Sequence, residues 1–374
     1  MSLGLKTVFN TNQINTLENW INNLMYSING AGIFRISPSG AYQKYDNSGT
    51  PITNALADAT SGDMIVLNNV TVSEENIILK NNVYFYFLNS TVSSSLAGGN
   101  PIFKDSGLAC VTRFLGYGTI TKLNSGECIK TTSASSNIAI FGQFTMGSLA
   151  GNCITSAGTF LAQNIYTLVG GINITGGTAN INLINIGTQP NITQSAGYLY
   201  LDAKVCGNIN QTGGNSWYNV AYSIGEITIT TGSSNISYSY CGNVNISGGN
   251  VIMNSKGQSE PNRTLLVNIN GGQVSINNAY LYTDSDQPNV LIYSGTVYLN
   301  NCRIFTNSPD VQYNVVKEGG TLVLDSCKLI GATNNSIAAT TSQNVVCYNS
   351  YANKAKNANI TIKAGTLTVD SSVI

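Results

Sequence analysis

The 374-residue chain has no histidine and few charged residues. Its 17 Lys and Arg balance its 17 Asp and Glu, and charged residues make up 9% of the sequence. The absence of histidine excludes nucleophile systems of the Ser-His or Cys-His type. Because there is no basic run and no net charge, binding to nucleic acid or to an anionic membrane through charge is not expected.

Long apolar runs are also missing. No stretch of 18 apolar residues is present, so we expect no membrane-spanning helix. Residues 1–12 lack the apolar segment of a secretory signal peptide, which predicts a protein made in the cytoplasm of its producing cell.

The cysteines show no metal-binding spacing. None of the eight forms a CxxC pair, and without histidine a metal site is not expected; no cofactor is implied. Cys302 and Cys327 occupy the same slot of consecutive repeats, which predicts that they stack inside the protein. A disulfide between them is the alternative, but a reducing cytosol disfavours it.

What the sequence does contain is a repeat of about 23 residues in its C-terminal part. Each copy has apolar residues at plus two and plus four, Asn or Ser at plus six, a small residue at plus seven and an apolar residue at plus nine. Clear copies begin at Gly272, Gly295, Gly320 and Gly365, and a degenerate copy begins at Gln343. Weaker copies begin upstream at Gly177, Gly197, Gly225 and Gly249.

The repeat predicts an all-β fold, a single-stranded parallel β-helix. Alternation of apolar residues indicates short strands, and Asn or Ser at plus six suits a corner with left-handed backbone angles. Short units at a fixed spacing stack into a solenoid. Propeller blades need roughly 40 to 50 residues, and the Leu and Asn scaffold of leucine-rich repeats is absent.

The N-terminal part differs from the repeats. Residues 12–28 form the apolar stripe of an amphipathic helix. Its members are Ile14, Leu17, Trp20, Ile21, Leu24, Met25 and Ile28. This helix either caps the first coil or serves in oligomerisation or anchoring, and the two roles are compatible. We therefore divide the chain into residues 1–53, with the helix, a hairpin and a linker, and a β-helix domain at 54–374.

The last residue, Ile374, falls at plus nine of a repeat. No polar capping coil follows it, so a core layer and unpaired strand edges would be exposed there. We expect a neighbouring copy or another protein to cover them.

Residues 54–92 resemble the opening coil of pectate-lyase-like right-handed β-helix proteins. The resemblance consists of a short helix over 54–60, the turn Ser61-Gly62-Asp63, a strand, and the corner Lys80-Asn81-Asn82. Within that superfamily, a short N-terminal helical segment, no signal peptide and a solenoid rich in Ser, Thr, Asn and Gly resemble bacteriophage tailspike or virion fibre proteins. The resemblance implies a right-handed coil, a homo-oligomer (a trimer or dimer), and attachment to other virion proteins through the N-terminal segment.

Candidate catalytic residues are few. A β-helix glycoside hydrolase needs two carboxylates roughly 5 to 10 Å apart. The best cluster is Asp284 and Asp286, with Asp310 about one repeat later and Glu260 one repeat earlier. Arg263 and Lys317 are the cationic neighbours that a lyase would require. The other interpretation, which we favour, is that these acids are exposed in turns.

Four tyrosines lie on consecutive repeats: Tyr280, Tyr282, Tyr293 and Tyr298. They either stack on the sugar rings of a host surface polysaccharide or pack in a subunit interface. Together these patterns favour a non-enzymatic virion fibre or spike subunit. A tailspike polysaccharide depolymerase is the alternative, and a bacterial surface adhesin is disfavoured by the missing signal peptide.

Overall fold

A computed structural model of the protein describes residues 30–184, 190–256, 264, 266–283, 287–306, 313–330, 335–339, 345–348, 351–352, 360–362 and 367–369. These residues form a β-solenoid of parallel strands, which confirms the predicted parallel β-helix, and they include a single helix. The chain divides into two compact units, residues 1–170 and 171–374. The apolar stripe between Ile14 and Ile28 lies outside the described residues.

Unit 1 begins with the predicted hairpin. Strand β1 (Gly32–Ile36) pairs antiparallel with β2 (Tyr42–Tyr45) and with β3 (Met64–Asn68). In the sequence, helix α1 (Pro51–Asp58) lies between β2 and β3, and it starts three residues before the helix predicted over 54–60. It starts there because Pro51 suits the first turn and because the Glu74 carboxylate accepts hydrogen bonds from the amides of Ile52 (2.9 Å) and Thr53 (2.8 Å).

The other strands of unit 1 stack in parallel. They are β4 (Thr71–Ser73), β5 (Ile77–Ile78), β6 (Tyr84–Ser94), β7 (Phe103–Lys104), β8 (Val111–Lys122), β9 (Ile129–Thr131), β10 (Asn137–Ser156), β11 (Thr159–Ile165) and β12 (Thr167–Ile174). The main ladder runs β3–β6–β8–β10–β11. Phenylalanines from successive rungs fill the interior; the rings of Phe85 and Phe114, for example, stack with centroids 4.9 Å apart.

A buried ion pair ties three coils of unit 1 together. The ammonium group of Lys122, which is fully buried, donates to Glu75 and also to Ser94 Oγ (3.2 Å) and the Leu96 carbonyl (3.1 Å). Burial alone would raise the pKa of Glu75, but hydrogen bonds from Lys122, Ser94 and Asn100 outweigh it and hold the pKa below its ordinary value. The ionised carboxylate therefore stabilises these coils of unit 1.

Unit 2 contains the repeats. Its strands are β13 (Thr178–Leu183), β14 (Ile192–Gln194), β15 (Tyr198–Val205), β16 (Ile209–Gln211), β17 (Asn215–Ile224), β18 (Ile227–Ile229), β19 (Ser233–Tyr238), β20 (Tyr240–Cys241), β21 (Val244–Ile246), β22 (Asn250–Ser255), β23 (Val267–Ile269), β24 (Gln273–Asn277), β25 (Tyr280–Thr283), β26 (Val290–Ile292), β27 (Thr296–Asn300), β28 (Arg303–Thr306), β29 (Tyr313–Lys317), β30 (Thr321–Asp325), β31 (Lys328–Ile330), β32 (Asn335–Ala339), β33 (Val345–Tyr348), β34 (Tyr351–Ala352), β35 (Ile360–Ile362) and β36 (Leu367–Val369).

Three parallel ladders run through these strands. The front sheet consists of β13, β15, β17, β19, β22, β24, β27, β30, β33 and β36, each paired in register with the next. A second ladder runs from β14 to β35. The third ladder contains the four-stranded sheet of β25, β28, β31 and β34 in the C-terminal coils, and it continues upstream through bridges of Leu281 to Thr264 and of Thr264 to Cys241, which lies on β20 and pairs with β17.

The repeat register upstream of Gly249 differs from the prediction. Coils start at Gly197, Gly214, Gly232 and Gly249, so they are 17 to 18 residues long. They are shorter because less chain separates the third ladder from the second: β21 begins three residues after Cys241, whereas β26 begins nine residues after Leu281. Gly225 starts no front-sheet strand; it precedes β18 of the second ladder.

The corners and cysteines follow the prediction. Asn278, Asn301 and Ser326, at plus six of their repeats, have φ angles of 55°, 51° and 55°. Cys302 and Cys327 are buried thiols on neighbouring rungs and neither forms a disulfide; the same holds for Cys110, Cys128, Cys153, Cys206 and Cys241. The interior packing of cysteine is therefore confirmed for these residues.

Adding a methyl group at the corner glycine Gly272 should destabilise the protein. Gly272 has φ +80°, and a Cβ there would lie 2.5 Å from the Gly249 carbonyl oxygen. We expect Gly272→Ala to lower the free energy of unfolding by more than about 2 kcal/mol in urea denaturation. The control is Gly49→Ala, which has a similar φ of +69° but open space around it, and it should cost about 1 kcal/mol. Equal losses would contradict close stacking at Gly272.

Glu75 should make stability depend on acid. Because its pKa is lowered in the folded state, its contribution is complete above the unfolded pKa of about 4.3 and is lost as pH falls through the folded value. Glu75→Gln should cost about 3 to 5 kcal/mol at pH 7, since it leaves a buried ammonium group without its counterion.

The same variant should lose less stability than the wild type when the pH is lowered from 5 to 3, as measured by denaturant titration. Glu127→Gln is the control, because Glu127 pairs with Lys130, which is more exposed. It should change stability by less than about 1 kcal/mol. If the free energy of unfolding fell in parallel with pH for wild type and Glu75→Gln, the stabilising role of the Glu75 carboxylate would be refuted.

Candidate functional site

The acids singled out from the sequence are not located by the structure. Asp284, Asp286, Asp310 and Glu260 lie outside the described residues, as does Arg263. Lys317 is described and fully buried on β29, so it offers no exposed cation. The catalytic assignment of these acids stays a prediction.

Two of the four predicted tyrosines are in the wrong place for a sugar platform. Tyr280 and Tyr282, on β25, are 7% and 8% exposed. Phe305 on the neighbouring rung stacks against Tyr282 with centroids 5.7 Å apart and planes at 14°, and Arg303 lies over the Tyr280 ring. These rings therefore pack against other side chains of the solenoid and are not accessible.

The other two tyrosines are more accessible. Tyr293 follows β26 and is exposed, whereas Tyr298 points outward from β27 and is half-buried. They lie on different ladders, so they do not form a common aromatic surface.

The structure shows an aromatic surface that the sequence pattern missed. Tyr198, Tyr200 and Trp217 point outward from β15 and β17 of the front sheet, and we call them the aromatic patch. Their side chains are 60%, 38% and 52% exposed. Tyr200 and Trp217 are partners in register, and their rings meet edge to face with centroids 5.5 Å apart. Large aromatic rings exposed together on a rigid sheet are typical of a binding surface.

Alternation along β15 explains why the tyrosines point outward. In the segment Tyr198-Leu199-Tyr200-Leu201, both leucines are buried in the core, so the tyrosines must face solvent. The coil that starts at Gly197 is only 17 residues long, so Trp217 on the following rung lies directly beside Tyr200.

The patch lies between amide side chains on the same column of the sheet. Asn180 on β13 is in register with Tyr200, and Asn235 on β19 is in register with Trp217. The column therefore reads Asn-Tyr-Trp-Asn across three strand spacings, or about 14 Å. Amides offer both donors and acceptors beside the aromatic surface.

A carboxylate borders the patch on the adjacent column. Asp202 accepts hydrogen bonds from the side-chain amides of Asn182 and Asn219, each at 3.2 Å. These bonds hold the carboxylate in place and leave acceptor capacity for a further donor. Among the described front-sheet strands from β13 to β24, Asp202 is the one outward-facing acid, so this face holds no carboxylate pair.

Polar contacts inside the solenoid support the rungs beneath the patch. The side-chain amide of Gln211 donates to the Gly214 carbonyl (3.1 Å), and its oxygen accepts from Ser216 (2.7 Å) and Ser234. Burial raises the pKa of the Tyr218 phenol, which donates to Gln194. A satisfied buried network of this kind fixes the rungs rigidly.

Comparison with known proteins gives no relative. No family model matches the chain, and no curated protein or solved structure matches it. In the part of the chain that the structure describes, no helix is long and apolar enough to cross a membrane.

Truncating two adjacent residues of β17 to alanine should have very different effects on stability. Trp217→Ala removes an exposed ring and should change the free energy of unfolding by less than about 1 kcal/mol. Tyr218→Ala removes a fully buried ring and should cost about 3 to 5 kcal/mol. Denaturant unfolding followed by circular dichroism measures both, and a large loss for Trp217→Ala would place that ring in the core.

Proposed function

We propose that this chain is a β-helical fibre or spike subunit of a bacteriophage particle that recognises a host surface polysaccharide without cleaving it. The observation that carries the proposal is the aromatic patch with its flanking amides. Sugars bind proteins through stacking of their apolar faces on aromatic rings and through hydrogen bonds to amides and carboxylates. The front sheet offers both on one face.

Rigidity supports a recognition role. In-register strands and interior hydrogen bonds fix the spacing of the patch, so few side-chain conformations need to be ordered when a ligand binds. The polar, weakly charged surface and the resemblance of residues 54–92 to β-helix proteins agree with a fibre or spike.

The N-terminal segment completes the proposal. The apolar stripe from Ile14 to Ile28 would join copies into a dimer or trimer or attach the subunit to other virion proteins. In this proposal the protein is synthesised in the host cytoplasm and then becomes part of the particle.

A depolymerase is the second candidate, favoured by one observation. Thr283 and Thr306 end neighbouring rungs in register, and the chain continues from them into the segments that contain Asp284 and Asp310. Adjacent rungs therefore lead directly into two acid-bearing segments, which suits a mechanism with two carboxylates.

The aromatic patch should be necessary for polysaccharide binding. On a biosensor panel of purified bacterial capsular and O-antigen polysaccharides, the wild type should bind at least one polymer. Trp217→Ala and Tyr200→Ala should each weaken that binding at least tenfold, because each removes a stacking ring. Tyr293→Ala, which removes an exposed ring on another ladder, should retain it.

Measuring the reducing ends released from the polymer distinguishes a protein that only binds the polysaccharide from one that cleaves it. The wild type, Asp284→Asn and Asp310→Asn proteins should all leave the bound polymer intact over a day. Release by the wild type that either variant abolishes, with unfolding unchanged, would make the protein a depolymerase.

A further inference from the structure

The first three outward columns around the aromatic patch have little charge, and none of it is basic. In the first three outward columns of the described front-sheet strands β13 to β30, the charged side chains are Asp202 and Asp325. The other outward positions in these columns hold uncharged residues, mostly Asn, Ser and Thr, together with Tyr298 and the three rings of the patch.

From this arrangement we infer that the aromatic patch selects uncharged oligosaccharides, built from neutral hexoses or N-acetylhexosamines, over acidic ones that carry uronate, sialate or sulfate. The inference rests on the proposed function and names the ligand class of the same site.

Acidic sugars usually require cationic donors, because arginine and lysine compensate the charge of a carboxylate or sulfate. The lysines near the patch do not supply such a cationic donor. Lys204 lies beyond the buried Ala203, in the fourth outward column, and Lys256 donates to the Val220 carbonyl at 3.0 Å. An anionic sugar on Tyr200 and Trp217 would therefore meet amides and rings but no ammonium group in the patch columns.

Asp202 adds repulsion to this lack of cations. Its carboxylate is held by Asn182 and Asn219 on the column next to Tyr200, so it cannot turn away without breaking those bonds. A second unit charge at a distance of about 4 Å in water meets a repulsion equivalent to about a fivefold loss in affinity. A neutral sugar hydroxyl, in contrast, can donate to the free acceptor positions of the same carboxylate.

The amide column sets how the ligand lies. Asn180, Tyr200, Trp217 and Asn235 follow one another on successive rungs. A short oligosaccharide can lie along this column, across the strands, with its rings on the aromatics and its hydroxyl or acetamido groups at the amides. Amides pair well with such neutral polar groups.

The test uses matched polymers. Bacterial capsular polysaccharides that contain uronic acid are presented to the full-length protein before and after chemical reduction of their carboxyl groups to primary alcohols, and affinity is measured by biosensor. The neutral form should bind at least about fivefold more tightly than its acidic parent. Raising the salt concentration from 50 to 500 mM should narrow the difference, since screening weakens exposed repulsion.

Two variants locate the effect. Asp202→Asn should narrow the ratio of neutral to acidic affinity to less than about twofold, whereas Asp325→Asn, which removes the distant outward acid, should leave the ratio as in the wild type. Equal or tighter binding of the acidic form would overturn the selectivity while leaving polysaccharide recognition intact. If the ratio of neutral to acidic affinity is unchanged in Asp202→Asn, the Asp202 carboxylate is not the source of the selectivity. Failure of the whole panel to bind in either form would refute the proposed function itself and the inference with it.

Discussion

The close, in-register stacking of backbones at the glycine corners is the constraint on which unit 2 depends. At successive corners, such as Gly214, Gly232 and Gly249, a Cβ would meet the carbonyl oxygen of the corner before it at 2.2 to 2.5 Å. Only glycine permits this approach together with a positive φ angle. Because each described corner from Gly197 to Gly320 is locked to the one before it, the strands from β15 to β30 each start in register with the preceding strand, and their side chains line up in columns.

Those columns create both the core and the surface. Inward columns hold aliphatic residues and stacked cysteines, while outward columns hold rows of amides such as Asn254, Asn277 and Asn300, each linked to the preceding row by hydrogen bonds of 2.8 to 3.2 Å. The aromatic patch is one interruption in this polar surface. It results from register, because Tyr200 and Trp217 are neighbours only when the intervening coil has 17 residues.

The sequence predicted the solenoid but not the patch, and one physical reason explains both outcomes. Repeats from Gly272 onward have apolar residues at plus two and plus four, so their spacing was visible. The coils at Gly214 and Gly232 have Ser216 and Ser234 at plus two, where the side chains face inward and hydrogen-bond to Gln211. An apolar pattern cannot detect a polar interior, so it predicts a single repeat at Gly225 in place of the coils at Gly214 and Gly232. The alternation Tyr-Leu-Tyr-Leu at 198–201 was the available signal, but the short coils hid the partner of Tyr200.

The most direct test of the account is a crystal structure of the full-length protein with a bound neutral oligosaccharide. The account predicts Tyr200 and Trp217 on adjacent rungs, with sugar rings lying along the column from Asn180 to Asn235. A structure in which β15 and β17 pair in another register, or in which the sugar occupies a different face while this column stays empty, would contradict it.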